Sequence, residues 1–283
     1  MTDGRVGRFD EGGVALQWRL WPGSGDWLVL VHHGLGEHCG RWEVLAKALE
    51  GLPVRVGSYD MRGHGLSGGA KGDALGMGQL ADDLVAMIGV LMAESGATKL
   101  MLFGHSLGAG VVATALIHRQ MPISLQAVVL SAPPVFVPRG LSVRAKIGVG
   151  RVLRLVAPGV RLTSEVDPNG LSHDEGEVAR YASDPLVHDR VSVRLGLSIV
   201  DDGPKLVEGA NRITWPSLVF VGSEDPVIAP EGVERFAAQV GSKDKTFQVL
   251  DGCRHEPHFE RADLRAKWRD LVRGWVGQQV GAT

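Results

Sequence analysis

The segment Lys99-Leu-Met-Leu-Phe-Gly-His-Ser-Leu-Gly108 decides the fold, because an apolar run ends in the pattern G-x-S-x-G and a helical pattern follows. Leu100 to Phe103 has the composition of a strand buried on both faces, and apolar residues recur at helical spacing from Val111 to Leu116. A strand, a sharp turn and a helix put Ser106 at the tip of the turn, in a strained backbone conformation. Glycines two residues before and after it relieve the crowding there. The sequence therefore predicts a serine exposed at a strand end.

A nucleophilic serine needs partners elsewhere in the chain. Its hydroxyl is a weak nucleophile at neutral pH, so a base must accept the proton and a carboxylate must orient that base. On this kind of scaffold the order is serine, acid, histidine. Asp225 follows a β-type run in a turn ended by a proline, and His255 follows another strand pattern and a glycine. We predict Ser106, Asp225 and His255 as catalytic residues, with Glu224 as the alternative acid and His258 as the alternative base.

The segment Trp27-Leu-Val-Leu-Val-His-His-Gly-Leu-Gly36 also combines a buried strand with a glycine-containing turn. Acyl transfer needs hydrogen-bond donors for the oxyanion, and free backbone N–H groups are a common source. The two glycines allow the chain after this strand to turn its amides toward the serine. We predict the backbone N–H groups of Leu35 and Leu107 as the oxyanion hole.

Four separated segments resemble the α/β-hydrolase superfamily, and within it the monoacylglycerol lipase and lysophospholipase branch. His33-Gly-Leu-Gly-Glu-His-Cys-Gly-Arg-Trp42 is similar to that branch's H-G-x-G-E-H-x-x-R-aromatic loop, although the family often has tyrosine in place of the tryptophan. Tyr59-Asp-Met-Arg-Gly-His-Gly-Leu-Ser-Gly68 is similar to its D-x-x-G-H-G-x-S-x-G loop. The serine turn is the third segment. The fourth, Ser183-Asp-Pro-Leu-Val187, resembles a segment near the end of the family's cap.

The resemblance implies an α/β fold with a mostly parallel central sheet flanked by helices and an inserted helical cap. It divides the chain into the first part of the hydrolase core (1–135), the cap or lid (136–196) and the second part of the core with the acid and the histidine (197–283). A chain of 283 residues with 44% hydrophobic content is long enough for one large core and an insertion.

The resemblance also implies roles in the loop or on the substrate side of the site for Glu37, Arg41 and His105. A purely structural pair between Glu37 and Arg41 is the alternative. Most of the cap region, 136 to about 188, matches no family segment residue by residue. Because a cap shapes the substrate pocket, substrate choice depends on the part of the chain with the weakest resemblance.

Composition and sequence pattern indicate which partners and which compartment to expect. A net charge of −2 and a pI near 6.6 give no general attraction to nucleic acid. Cys39 and Cys253 are too few for a disulfide framework and are expected as free thiols. The first residues lack the apolar core of a signal peptide, and no uncharged apolar run approaches membrane-spanning length. These features predict a cytoplasmic protein, with peripheral contact to a membrane surface as an option.

The cap region predicts a basic amphipathic helix between Pro134 and Ser164. Apolar residues there alternate with basic ones and no acidic residue occurs. The basic residues are Arg139, Arg144, Lys146, Arg151, Arg154 and Arg161. The apolar side of such a helix either rests transiently on an anionic lipid surface or covers the active site, and the sequence leaves both options open.

Two further patterns indicate neither a cofactor nor a metal. Gly63-His-Gly-Leu-Ser-Gly68 matches G-x-G-x-x-G, but the carboxylates of Asp82 and Asp83 fall inside a helical pattern and not at a strand end. His255-Glu-Pro-His258 lacks the H-E-x-x-H spacing, and its proline breaks the helix which that motif requires. We predict a protein without cofactor or metal.

These observations predict a serine hydrolase of carboxylic esters, acting on monoacylglycerols, lysophospholipids or similar small lipid molecules through an acyl-enzyme on Ser106. A peptidase, an amidase or a small-ester carboxylesterase is the alternative on the same scaffold. A peptidase would need an anchor for a free amino terminus. The candidates in the cap are Glu165, Asp167, Asp174, Glu175 and Glu177. A non-catalytic binding protein would require a broken triad, which the sequence does not have, and the oligomeric state is left open.

Overall fold

The computed structural model describes residues 4–136, 141–164 and 166–281, with the backbone alone for 141–146. Its strands are β1 (Arg5–Glu11), β2 (Val14–Trp21), β3 (Trp27–His32), β4 (Val54–Tyr59), β5 (Lys99–His105), β6 (Leu125–Ser131), β7 (Arg161–Thr163), β8 (Arg190–Ser192), β9 (Ser217–Gly222) and β10 (Lys245–Leu250). Its helices are α1 (Glu43–Ala48), α2 (Met77–Ser95), α3 (Leu107–His118), α4 (Leu141–Val156), α5 (Glu175–Ser183), α6 (Val193–Gly209), α7 (Pro230–Gln239) and α8 (Ala262–Val280).

Eight of the described strands form one sheet in the order β1-β2-β4-β3-β5-β6-β9-β10. β1 pairs antiparallel with β2, and β2 pairs antiparallel with β4. Every other pair, from β4 to β10, is parallel. The predicted mostly parallel sheet is therefore confirmed. Because the carboxyl ends of parallel strands share one edge, the loops after β3, β5, β9 and β10 meet there.

The sheet separates two apolar layers. All six residues of β3 are buried, and successive residues face opposite layers, as in the neighbouring strand β5. Leu30 and Leu102 pack in the layer that contains α2 and α3, whereas Val31 and Phe103 pack in the layer that contains α8. Burial on both faces explains why these strands read as continuous apolar runs and not as alternating ones.

The turn between β5 and α3 has little free space. Ser106 has a φ of 52°, a value that residues with a side chain rarely adopt. A Cβ at Gly108 would lie 2.0 Å from the backbone oxygen of His32, and one at Gly104 would lie 2.5 Å from the Cα of Ala109. Only glycines fit at these two positions, because α3 packs directly against the ends of β3 and β5.

A group of elements lies between β6 and β9 in the predicted cap. It contains α4, α5, the two-stranded antiparallel pair β7–β8 and the start of α6. The predicted boundary at residue 196 falls inside α6, which runs on to Gly209. The division into core and cap remains a prediction. No helix in the described part of the chain is long and apolar enough to cross a bilayer.

The basic segment of the cap contains helix α4, so the predicted helix is present. Arg139 lies outside the described residues, and the side chains of Arg144 and Lys146 are likewise not described. The last two turns of α4 expose large apolar side chains to solvent. These are Val149 at 59%, Val152 at 66%, Leu155 at 83% and Val156 at 79% exposure. These four side chains therefore face solvent.

Candidate active site

Three side chains from the ends of β5, β9 and β10 form a hydrogen-bonded chain. His255 Nε2 lies 3.0 Å from Ser106 Oγ, and His255 Nδ1 lies 2.7 Å from Asp225 Oδ2. The other carboxylate oxygen of Asp225 accepts the backbone N–H groups of Val227 and Ile228 at 2.8 and 2.9 Å. A carboxylate that accepts from Nδ1 leaves Nε2 as the acceptor for the serine proton. The structure thus brings together the three residues that the sequence predicts as catalytic.

The electrostatic surroundings of His255 favour its role as a base. Burial alone would lower the pKa of the imidazole, but the adjacent Asp225 carboxylate more than offsets this and the pKa lies above its ordinary value. Glu256 and Glu37 act in the same direction. A base must be neutral to accept a proton, so the acid limb of any pH–rate profile should lie above the pKa of a free histidine.

The two alternative residues lie away from this chain of hydrogen bonds. The side chain of Glu224 is 57% exposed and pairs with His173 at 3.2 Å. The ring of His258 stacks on Trp42 with centroids 4.7 Å apart, and burial lowers its pKa to about 3. Among the described residues, neither alternative hydrogen-bonds to the serine or to His255.

The loop after β3 lies against the serine. A Cβ at Gly34 would sit only 3.4 Å from the Cβ of Ser106, so a side chain there would press on the nucleophile. The next residue is Leu35, and Leu107 is the first residue of α3. Among the described residues no acceptor is hydrogen-bonded to either backbone N–H. Both groups are available for an oxyanion, and their role remains a prediction.

Known proteins resemble this chain over most of its length. The family described as serine aminopeptidase, S33, matches residues 23–262. The crystal structure of a Paleococcus ferrophilus monoacylglycerol lipase is 33% identical, with a TM-score of 0.80, and the match covers 95% of this chain and 99% of that one. The chain belongs to the S33 family of α/β-hydrolases, in its monoacylglycerol lipase-like branch.

Two further relatives extend the likeness. Mouse monoglyceride lipase is 29% identical over 273 residues, which cover 95% of this chain and 89% of that protein. A soluble variant of Saccharomyces cerevisiae monoglyceride lipase, solved with a substrate analogue, is 21% identical with a TM-score of 0.88, covering 99% of this chain and 96% of that one. At that identity, the yeast structure supports the shared fold alone. The resemblance that the sequence motifs indicate is confirmed.

A second loop supports the loop after β3 in this hydrolase. The buried carboxylate of Asp60, just after β4, accepts the backbone N–H groups of Cys39 at 2.7 Å and Leu66 at 2.8 Å. His33 Nε2 accepts the backbone N–H of Met61 at 2.9 Å. Asp60 lies within one of the family-like motifs, and its role was not predicted from the sequence. The signal for such a role in the sequence is the position of this carboxylate directly after a buried strand.

Glu37 and Arg41, two of the residues implied by the family resemblance, form an ion pair with each other. Arg41 Nη1 contacts Glu37 Oε2 at 3.0 Å, and both Arg41 nitrogens contact the carboxylate of Glu256, at 2.7 and 2.6 Å. Glu256 was missed by sequence analysis, because nothing in the motif around His255 indicates a partner more than two hundred residues away. A contact of Glu37 or Arg41 with substrate remains a prediction.

His105 is buried beside the base. Its Nδ1 lies 3.0 Å from Ser131 Oγ, and its ring centroid is 5.0 Å from that of His255. Burial holds the pKa of His105 well below its ordinary value, so the ring is neutral and packs as an uncharged group. A substrate-side role for His105 remains a prediction.

Three buried side chains near the site could hold a metal ion. His105, Glu256 and His258 each offer a ligand atom, and these atoms lie within 4.8 Å of one another. Both oxygens of Glu256 already bind the guanidinium of Arg41, whose positive charge opposes a cation at the same carboxylate. This arrangement favours an ion pair over a metal site, and the absence of a metal remains a prediction.

The glycine-rich loop Gly63–Gly68 does not have the surroundings of a dinucleotide site. The carboxylates about twenty residues later lie in α2. Asp83 binds Arg62 through both oxygens, at 2.6 and 2.5 Å, and Asp82 pairs with Arg119 at 2.6 Å. Both carboxylates are engaged in ion pairs within the protein.

The two cysteines are free thiols, as predicted, and both are buried. Burial raises the pKa of Cys253 to about 12 and that of Cys39 well above its ordinary value. Both thiols therefore stay protonated at neutral pH and pack as small apolar groups.

We expect Asp225→Asn to slow the reaction of Ser106 with a fluorophosphonate by roughly 10³-fold or more at neutral pH, because the imidazole loses the acceptor that fixes its tautomer. The acid limb of the rate should also move to lower pH, since the imidazolium loses its carboxylate partner. Labelling rates between pH 4.5 and 9 measure both effects. Glu224→Gln, an exposed neighbour, is the control and should change neither. A wild-type rate in Asp225→Asn would contradict the assignment.

Proposed function

We propose that this hydrolase cleaves carboxylic esters of single-chain lipids, such as monoacylglycerols, through an acyl-enzyme on Ser106. The observation that carries the proposal is the chain of hydrogen bonds from Asp225 through His255 to Ser106. It occurs in a protein 33% identical to a monoacylglycerol lipase over 95% of its length. A shared fold alone would not specify the reaction, whereas these three side chains in this order support acyl transfer.

In the first half-reaction, Ser106 Oγ attacks the ester carbonyl while His255 Nε2 accepts the serine proton. The carbonyl oxygen gains negative charge, and the backbone N–H groups of Leu35 and Leu107 donate to it. His255 then gives its proton to the departing alkoxide, which leaves as the alcohol. Asp225 stays ionised and stabilises the imidazolium throughout.

In the second half-reaction, water attacks the acyl carbon and His255 accepts one of its protons. The tetrahedral intermediate collapses, Ser106 Oγ leaves the acyl carbon, and the proton returns from His255 to the serine. The products are a fatty acid and the free enzyme. Ser106 and His255 therefore act in both half-reactions.

Carboxylates in the cap favour an ester over a peptide substrate. An anchor for a free amino terminus should be a carboxylate without a partner in the protein. Most of the candidates already hydrogen-bond or form ion pairs within the protein. Asp167 and Asp174 cap helical turns, and Glu177 pairs with Arg180 and Arg265. Glu175 is exposed in the first turn of α5, and Glu165 lies outside the described residues. The engaged acids make the peptidase alternative less favoured.

Apolar surface in the cap region supports a lipid substrate. Ile147, Leu162, Val191, Val193 and Leu197 line a cavity of about 480 Å³ between α4, β7, β8 and α6. The exposed valines and leucine lie on α4 itself, one of the elements that line this cavity, beside exposed Arg151 and Arg154. An apolar face with flanking cations suits an anionic membrane surface. We therefore propose transient contact of α4 with lipid, and the cellular compartment remains a prediction.

Hydrolysis of p-nitrophenyl esters from acetate to palmitate tests the reaction. We expect kcat/KM to peak at medium or long acyl chains, because the cap region offers apolar surface to the chain. Ser106→Ala should lose at least 10³-fold on every ester, since the nucleophile is absent. Monoacylglycerols and aminoacyl p-nitroanilides are the next substrates. Preference for acetate, or for the anilides, would contradict the lipid ester proposal.

Co-sedimentation with phosphatidylglycerol-containing vesicles tests the lipid contact. The double variant Val152→Glu, Leu155→Glu should bind at least fivefold more weakly than wild type, because charge replaces exposed apolar surface. Ile123→Glu is the matched control, since Ile123 is fully exposed outside the cap. Binding should also weaken with added salt. Equal binding by the double variant and the control would contradict contact through α4.

A further inference from the structure

Glu256 is a buried carboxylate with no part in the reaction just described. It directly follows His255 in the chain, and only 4% of its surface is exposed. Oε1 accepts from Arg41 Nη1 at 2.7 Å and Oε2 from Arg41 Nη2 at 2.6 Å, so the two planar groups face each other in a bidentate pair. Burial alone would raise the pKa of Glu256, but Arg41 lowers it, so the carboxylate is ionised. A buried charge beside the base calls for an explanation.

The partner of Glu256 belongs to the loop that approaches the serine. Arg41 Nη1 also donates to Glu37 Oε2 at 3.0 Å, and Glu37 Oε1 accepts the backbone N–H of Gly34 at 2.6 Å. Gly34 precedes Leu35, whose N–H is a predicted oxyanion donor. A chain of hydrogen bonds therefore runs from the residue after the base to the residue before the oxyanion donor.

The guanidinium in the middle of this chain has little freedom to move. Arg41 lies between the rings of Tyr181, 4.7 Å away, and Phe259, 4.4 Å away, and its side chain is 10% exposed. Glu256 is fixed a second time by its backbone N–H, which donates to the carbonyl oxygen of Leu171 at 2.9 Å. A planar guanidinium held between two rings sets both the distance and the angle between its partners.

We propose that Glu256 is a positioning residue which, through Arg41 and Glu37, fixes His255 and the predicted oxyanion donor at Leu35 relative to each other. This inference rests on the proposed function, because it concerns the geometry of that same reaction. Both fixed groups act on the transition state, so their displacement should reduce kcat and leave KM largely unchanged.

The charge of Glu256 adds a readout that a purely structural residue would lack. Together with Asp225 and Glu37, it raises the pKa of His255 against the effect of burial. The titratable and charged groups around His255 are Asp225, Glu37, Arg41, His105, Glu256 and His258. Removing the negative charge of Glu256 should therefore move the acid limb of kcat/KM to lower pH.

The test compares Glu256→Gln with Glu224→Gln, since each glutamate adjoins a triad residue but Glu224 is exposed. Sites competent for reaction are counted with a fluorophosphonate, and folding is followed by the melting temperature. For Glu256→Gln we expect kcat per competent site to fall roughly 10- to 100-fold with KM within about twofold. The acid limb should also shift to lower pH. Glu224→Gln should match wild type in each measurement.

A folded Glu256→Gln with wild-type kcat and pH profile would overturn the inference. A Glu256→Gln protein with a lower melting temperature but an unchanged kcat per competent site and an unchanged pH profile would also overturn it. If that variant does not fold, Arg41→Lys carries the test, because lysine keeps the charge but cannot make the bidentate contact. It should show the same loss of kcat, and an unchanged kcat would overturn the inference.

A different result would count against the proposed function. Wild-type protein that hydrolyses no ester contradicts the ester proposal, and the positioning role is then tested by the rate of fluorophosphonate labelling. That rate depends on the serine, its base and the oxyanion donors, and not on the natural substrate. A slower label in Glu256→Gln than in Glu224→Gln supports the positioning role, and equal labelling overturns it.

Discussion

The left-handed backbone at Ser106 is the constraint on which the rest of the structure depends. A residue with a side chain adopts a φ of 52° only when its surroundings enforce it. Here α3 begins immediately after the serine and packs so closely against β3 that Gly108 has no room for a Cβ. The strain is therefore held by the close packing of helix and sheet, and it keeps the nucleophile at a strand end where the other loops meet.

The site combines this strain with buried charge. Asp225 has its oxygens satisfied by two backbone N–H groups and by His255. Arg41 holds Glu37 and Glu256 in the neighbouring loops, so each buried ion has partners at hydrogen-bond distance. Desolvation makes such groups costly for stability. Their benefit is a fixed field and a fixed geometry around the base, which catalysis by preorganised dipoles requires.

The features that could be predicted from sequence are those with a local signal. The strand before Ser106, the glycines around it and the loops that carry Asp225 and His255 each have their own pattern. Glu256 had none, because its partner Arg41 becomes a neighbour only when two loops fold together. The sequence also left undecided whether the apolar side of α4 is covered or exposed. A sequence pattern gives the period of a helix but does not show which face is covered.

Covalent trapping of the nucleophile tests the central claim most directly. The reagent is a long-chain alkyl phosphonate with a p-nitrophenyl leaving group, which resembles the tetrahedral intermediate of ester cleavage. The expected result is one adduct per protein, on the peptide that contains Ser106, with p-nitrophenol released and ester hydrolysis lost in proportion. An adduct on another residue, or full hydrolysis after complete modification of Ser106, would contradict the account.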